Sequence, residues 1–373
     1  MKIIIDATSL LLPSAGVKNY MFYWIRALLA EAGPDTISLF PLLDSLPADL
    51  NHESSPCGRT DRFRLWLVRF LNIRHNPLSA WWPAIGDVFH ASQHIVNVPS
   101  RPRLLTSTIY DLTCWLLPDM HREENVIATR RYASRILCQS DGCIAISESA
   151  RQDAIDILRI PGDRIATIYP GIAEQFFNPP PSEPVRKAHE LYKPYFLYVG
   201  TIEPRKGVET LLSAYTQLEP DLRSHCDLVL AGMCGWKSET VVVRLADPPP
   251  GVRYLGYVPE TALPALTVGA TALVFPSLYE GFGFPVAQGM AAGVPVITSR
   301  GSSLEEVAAG ACMLVTPGDA EQLSAAMAAI AESAELRGQL SARGQQRAQA
   351  FRWQTSARKS MEFFRAVGHR PRE

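Results

Sequence analysis

The chain has 373 residues, 47% hydrophobic and 20% charged, with 36 Lys and Arg against 37 Asp and Glu for a formal net charge of −1. This length exceeds one hydrophobic core and suits two domains of an ordinary soluble protein. Neutral charge excludes a global pull toward nucleic acid, and no recognition motif for nucleic acid is present.

The N-terminal "MKIIIDATS" meets Asp6 after three isoleucines, which fits a buried strand and not a secretory leader. No apolar run reaches the ~18 residues of a membrane span. Further strands are expected at 36–41, 87–91, 104–110, 142–146 and 164–170, with helices through 20–32, 121–138 and 147–158. Alternating strand and helix patterns predict a parallel, doubly wound α/β sheet. An amphipathic helix lies within 59–77. Phe63, Trp66, Leu67, Phe70 and Leu71 form its apolar face, and Arg59, Arg62, Arg64, Arg69 and Arg74 surround it. A helix packed on its own sheet with arginines outward is the first reading; contact with an anionic lipid surface is the alternative. Arg130, Arg131 and Arg135 make a second basic run.

"NPPPSEP" (178–184) breaks both periods and reads as an extended linker, setting domains 1–183 and 184–353. The strand pattern restarts at 195–200, 227–232, 252–258, 271–276, 294–299 and 312–317. The final helix, 351–367, carries Phe351, Ser356, Phe363 and Phe364 and must bury an aromatic face. The seven cysteines (Cys57, Cys114, Cys138, Cys143, Cys226, Cys234, Cys312) include no C-x-x-C pair and fit reduced thiols in a cytosolic protein. His90, His94 and His121 lack a metal-ligand spacing.

In open α/β sheets, ligands bind at the carboxyl ends of strands, so the chemistry is expected in strand-to-helix loops. "VGTIEPRKGVETLL" (199–212) places Arg205 and Lys206 before a helix, a ready site for a diphosphate. In "PSLYEGFGFPVAQGMAAGVPV" (276–296), Gly281 and Gly283 permit close backbone approach and Glu280 can accept hydrogen bonds from sugar hydroxyls. Gln288 lies two turns along the following helix. G-x-G-x-x-G is absent, because Val286 stands at the third position.

These loops resemble the C-terminal domain of family-four retaining glycosyltransferases, which have the GT-B fold. "IIIDATSLLLPSAGVKNY", "DVFHAS" and "TIYDLTCWLLPDMH" are similar to the family's N-terminal loops. The resemblance covers nearly the whole chain, is strongest over 195–318, and looks most like the mannosyltransferase branch. It implies two Rossmann-like domains facing a cleft, with the C-terminal helix (354–373) returning to the first. It also implies transfer of a hexose, mannose favoured, from a nucleotide diphospho-sugar such as GDP-mannose to a saccharide or lipid-linked acceptor in surface polysaccharide synthesis. The expected location is cytoplasmic, with peripheral contact at the inner face of the plasma membrane as the alternative.

By this resemblance, Arg205 and Lys206, with Thr201 in the same loop, would meet the leaving diphosphate. Glu280 and the backbone of Gly281, Phe282, Gly283 and Phe284 would hold the donor sugar and its phosphate. Gln288 would bind ribose, Tyr257 and Val258 would flank the base, and Gly16 would approach the diphosphate. His90, Tyr110 and Asp111 would stand at the sugar–acceptor junction. The chain departs from the pattern in Gln288, which replaces Glu, in Tyr110, which replaces His, and in Asn19, which replaces a basic residue after a single glycine. No D-x-D pair occurs, so the reaction is expected to need no metal or cofactor. The departures leave two other readings open: a non-catalytic binding subunit and a sugar-nucleotide epimerase.

Overall fold

The computed structural model describes residues 1–12, 16–41, 43, 45–46, 59–73, 86–97 and 103–369. Cys57, Arg74 and the Ser14–Ala15 part of the glycine loop lie outside them, as does the side chain of Arg59. The chain divides into two compact units. One comprises Met1–Pro118, Glu123–Gly171 and Arg352–Glu373; the other comprises Asp119–Arg122 and Ile172–Phe351.

In the first unit, strands β1 (Lys2–Asp6), β2 (Thr36–Phe40), β3 (Val88–Ala91), β4 (Leu104–Ile109), β5 (Gly142–Ala145) and β6 (Ile165–Thr167) form one sheet. All neighbours are parallel, in the order β2-β1-β3-β4-β5-β6. Ile3, Ile5, Val88, Phe89 and Ile144 are fully buried. Helices on both faces of a parallel sheet require apolar side chains in both directions, which is why β1 and β3 read as mainly apolar runs. Strand order reverses between β1 and β3, so a crevice opens at the carboxyl ends of those two strands.

The C-terminal helix Trp353–Gly368 belongs to this unit. It packs on the helix Gly16–Glu31, where Trp24 Nε1 donates to Ser360 Oγ at 3.0 Å and the Trp24 and Phe364 rings lie 6.3 Å apart. Phe364 and Ser356 are buried as the aromatic face required. Phe351, however, sits in the second unit against Phe282, with ring centroids 5.3 Å apart.

The units change over at Gly171, earlier than the proline-rich stretch suggested. Ile172 N donates to Phe351 O at 2.9 Å and Phe176 is fully buried, so the segment before the prolines is already committed to the second unit. The prolines themselves lead into a short helix, Glu183–Ala188, with proline in its first turn, where its missing N–H costs nothing.

The helix Arg59–Leu71 also departs from expectation. Leu67, Val68 and Leu71 are buried in the core, whereas Phe63 and Trp66 are 54% and 57% exposed. At 3.6 residues per turn, positions 63 and 66 share one side and 67, 68 and 71 the other, with Phe70 half-buried between them against the core. One apolar face is in fact two.

The second unit holds β7 (Tyr195–Val199), β8 (Asp227–Ala231), β9 (Val252–Gly256), β10 (Ala272–Phe275), β11 (Val296–Ser299) and β12 (Met313–Val315). The sheet is parallel, in the order β12-β11-β10-β7-β8-β9. Here the order reverses between β7 and β10. The loops that leave those two ends are residues 200–207 and 276–283.

Candidate active site

After β7 the chain crosses a short 3₁₀ turn, Pro204–Lys206, and enters the helix Val208–Gln217 at Gly207. Gly207 has φ 70°, and a Cβ there would sit 2.2 Å from Pro276 O. Only glycine lets this loop lie against the end of β10. Leu278 N and Ser277 Oγ donate to Arg205 O at 2.8 and 3.1 Å, fastening the two loops together. The second loop enters the helix Phe284–Ala291 through Gly283, at φ 88°.

Glu280 is the centre of the cluster. Its Oε1 accepts from Lys206 Nζ at 2.6 Å and Ser277 Oγ at 2.7 Å, and lies 2.9 Å from Arg205 NH1. Arg205 NH2 donates to Glu203 Oε1 at 2.8 Å, and NH1 donates to Tyr279 O. Ser303 Oγ holds the backbone carbonyl of Glu280 at 2.7 Å. Burial alone would push the Glu280 carboxyl up. The Arg205 and Lys206 charges, with hydrogen bonds from Lys206 and Ser277, outweigh burial and bring it down to about 2. The Glu203 carboxyl goes the other way, raised by burial against the same two cations.

Sequence reading placed both cations toward a diphosphate. The structure brings Arg205, Lys206 and Glu280 together but turns the guanidinium inward, onto two carboxylates and a carbonyl. Arg205 and Glu203 are buried, whereas Lys206 is half-buried with its ammonium 5.2 Å from the Phe275 ring centroid. Arg205 therefore sets the geometry, and Lys206 is the cation placed at the surface of the cluster. Glu203, Ser277 and Ser303 were missed in sequence; the only signal for Glu203 is its place two residues before Arg205 in "IEPRKG".

Gln288 is half-buried on the second turn of its helix, and its side chain makes no hydrogen bond among the described residues. Thr201 is half-buried in the first loop. Tyr257 is half-buried and Val258 buried just past β9. Phe282 is a buried prop, its ring 5.2 Å from Phe284.

In the first unit, Gly16 is exposed at the start of its helix. His90 requires a correction. Its ring is fully buried between Trp24 and Phe364, at 5.0 and 5.4 Å, and both nitrogens hydrogen-bond to hydroxyls, Nδ1 with Thr106 at 3.0 Å and Nε2 with Thr108 at 2.8 Å. Burial pushes its pKa down to about 3. It is a satisfied core histidine and not a group at a reacting sugar. The Tyr110 hydroxyl is buried, the ring edge-on to Tyr20 at 5.4 Å, and burial raises its pKa well above the ordinary value. Asp111 Oδ1 accepts from Thr113 N at 3.0 Å and Thr113 Oγ1 at 2.6 Å, organising the short helix Thr113–Leu116.

Sequence reading took Asp6 only as a strand end. The structure makes it the knot of the first unit's crevice. Oδ1 accepts from Thr8 N and Oγ1 at 3.1 and 2.5 Å, and Oδ2 from Ser92 N and Oγ at 3.2 and 2.8 Å. Burial pushes this carboxyl up to about 6 in spite of the four donors.

Residues 182–347 match the family described as glycosyl transferases group 1. The match takes in the second unit's whole sheet and both site loops. The chain is 28% identical over 383 residues to O-antigen chain mannosyltransferase B of Escherichia coli, covering 98% of its own length and 100% of the relative's. It is also 28% identical over 234 residues to the serotype-specific mannosyltransferase WbdA of Escherichia coli, covering 61% of its own length and 29% of WbdA. A crystal structure of Anabaena HepE in complex with UDP and glucose aligns with a TM-score of 0.73 at 18% identity, covering 98% of this chain and 100% of HepE. That likeness establishes the fold class, GT-B.

Proposed function

We propose that the enzyme transfers mannose, with retention at the anomeric carbon, from GDP-mannose to a saccharide or lipid-linked acceptor in O-antigen or related surface polysaccharide synthesis. The observation that carries the reading is the Glu280–Lys206–Arg205 cluster at the switch point of the second unit's sheet. The full-length likeness to an Escherichia coli O-antigen mannosyltransferase supports the sugar and the acceptor class.

In this reading Lys206 and the free N–H groups of the two helix starts stabilise the departing diphosphate, the role a metal ion fills elsewhere. Glu280 fixes Lys206 and accepts from donor-sugar hydroxyls through its remaining lone pairs. Gln288, with an unused amide, faces the ribose, and Tyr257 and Val258 flank the base. The bond from sugar C1 to the phosphate oxygen breaks while C1 bonds to the acceptor oxygen. The acceptor proton passes to the leaving phosphate on the same face, giving retention.

Two readouts test this. Incubated with GDP-mannose alone, the enzyme is expected to release mannose slowly in the donor's own anomeric configuration, seen by proton NMR before mutarotation; the opposite anomer first refutes retention. Gln288→Glu is expected to keep turnover and to shift nucleotide affinity by less than about tenfold, because an amide and a carboxylate both accept from a hydroxyl. Complete inactivation would show that Gln288 does other work.

A further inference from the structure

The transfer gives no task to the buried carboxylate of Glu203. Its Oε1 accepts from Arg205 NH2 at 2.8 Å, and both side chains are buried. The backbone around it is tied down. Glu203 O accepts from Lys206 N at 3.0 Å. Ile202, one residue before, donates from N to Met233 O and accepts at O from Gly235 N, each at 2.8 Å. The loop after β8 therefore lies along this stretch, and it packs there with Gly235, which has no side chain. A Cβ at Gly235 would come 2.8 Å from Thr201 Cγ2 and 3.6 Å from Glu203 Cβ.

The formal charges of the cluster sum to zero, with Arg205 and Lys206 facing Glu203 and Glu280. A diphosphate at its surface would meet Lys206, because Arg205 is engaged with both carboxylates and with Tyr279 O. The two carboxylates are not held alike. Glu280 takes Lys206, Ser277 and Arg205 on one oxygen, whereas Glu203 takes Arg205 NH2. A planar guanidinium suits a carboxylate and a phosphate equally well, so Glu203 and a diphosphate compete for the same group.

We propose that Glu203 is a positioning residue that restrains donor affinity: by holding the Arg205 guanidinium inward and balancing its charge, it keeps a second cation off the diphosphate. The proposal rests on the donor reading given above. An enzyme that releases a nucleoside diphosphate in every turnover gains nothing from contacts made equally to donor, transition state and product. Such contacts lower KM without raising kcat, and they slow release. A purely structural ion pair carries the opposite sign, because its loss would loosen the loop and weaken binding. Protonation of Glu203 should act like its removal. Burial raises its carboxyl above the ordinary 4.5; Arg205 and Lys206 pull it down, and Glu280 adds to the rise. Glu280 stays charged, at about 2, and Tyr198 of β7, whose phenol feels both carboxylates, stays neutral because burial raises it well above 10. Above pH 4.5 the charge of the cluster therefore changes through Glu203.

The test is calorimetric titration of GDP-mannose into wild type, Glu203→Gln and Glu203→Asp at about pH 5.5 and about pH 7.5, a range in which the donor's diphosphate does not titrate. At the higher pH, Glu203→Gln is expected to bind about three- to tenfold more tightly than wild type, with a lower KM and no gain in kcat for donor hydrolysis. Glu203→Asp keeps the charge and is expected to stay within about threefold of wild type. Wild type and Glu203→Asp are expected to tighten at the lower pH, and Glu203→Gln is expected to show no such change. Equal or weaker binding by Glu203→Gln, or wild-type binding that ignores pH, would overturn the proposal and leave the donor reading intact. The wild-type pH series decides the question even if Glu203→Gln does not fold. Absence of GDP-mannose binding to wild type would remove the donor reading, and this proposal with it.

Discussion

Glu280→Gln is expected to lower kcat by about 100- to 1000-fold while leaving a folded protein. The substitution keeps shape and removes charge. In the native cluster one oxygen, Oε1, takes Lys206 at 2.6 Å, Ser277 at 2.7 Å and Arg205 at 2.9 Å. A neutral amide oxygen there leaves the buried Arg205 and the half-buried Lys206 facing Glu203 as the remaining carboxylate of the cluster, so Lys206 loses the anchor that, in the proposed reading, holds it at the leaving group. The cost also appears in stability, with a definite pH signature. The Glu280 carboxyl sits at about 2 in the folded state against an ordinary 4.5. A depressed carboxyl stabilises the fold above pH 4.5, and that stabilisation is lost as pH falls from 4.5 to 2. The full effect is about 3 kcal/mol at neutral pH, as an order of magnitude. Wild type should therefore lose this much more stability than Glu280→Gln across that window, measured by urea unfolding at a series of pH values. Turnover within a few fold of wild type would remove Glu280 from the reaction.

Arg205→Lys is expected to cost stability and activity together. The guanidinium reaches Glu203 through NH2 and both Glu280 and Tyr279 O through NH1. An ammonium offers one nitrogen and cannot span these three acceptors. Breaking a buried ion pair costs roughly 3–5 kcal/mol, which lowers the melting temperature of a unit this size by on the order of 10 °C. Because Arg205 acts by holding Glu280 and the two loops, kcat should fall while the affinity for free nucleotide changes little. Differential scanning calorimetry and nucleotide titration check the two halves. An unchanged melting temperature with a large loss of nucleotide affinity would mean that Arg205 turns outward onto the diphosphate.

These expectations rest on features that were unequally legible in the sequence. Both sheets were, because strands covered on two faces tend to read as apolar runs, and the twelve strand-length runs in the sequence match the twelve strands of the described residues. The domain boundary was not. Prolines at 179–181 look like a linker, but the chain commits to the second unit at Ile172 through a backbone bond to Phe351, far away in sequence. The two site loops were legible because a strand end, glycines and charged residues coincide. The direction of Arg205 was not, since spacing along the chain gives no rotamer. His90 failed for a related reason. Its partners come from the neighbouring strand, where His90 stands beside Thr106 in register, and register cannot be read from one strand's pattern. In the helix Arg59–Leu71, composition suggested one apolar face, and only the packing showed which half of it was covered.

The central claim is that the loops 200–207 and 276–288 hold a nucleotide diphospho-sugar through Lys206. Calorimetric titration of GDP-mannose into the wild-type protein and into Lys206→Met tests it most directly. The account predicts saturable binding to wild type and binding weaker by about tenfold or more to the variant, since one charge-assisted contact to phosphate is lost. Equal affinity in the two proteins, or no binding of GDP-mannose, UDP-glucose or UDP-GlcNAc to wild type at millimolar concentration, would contradict it.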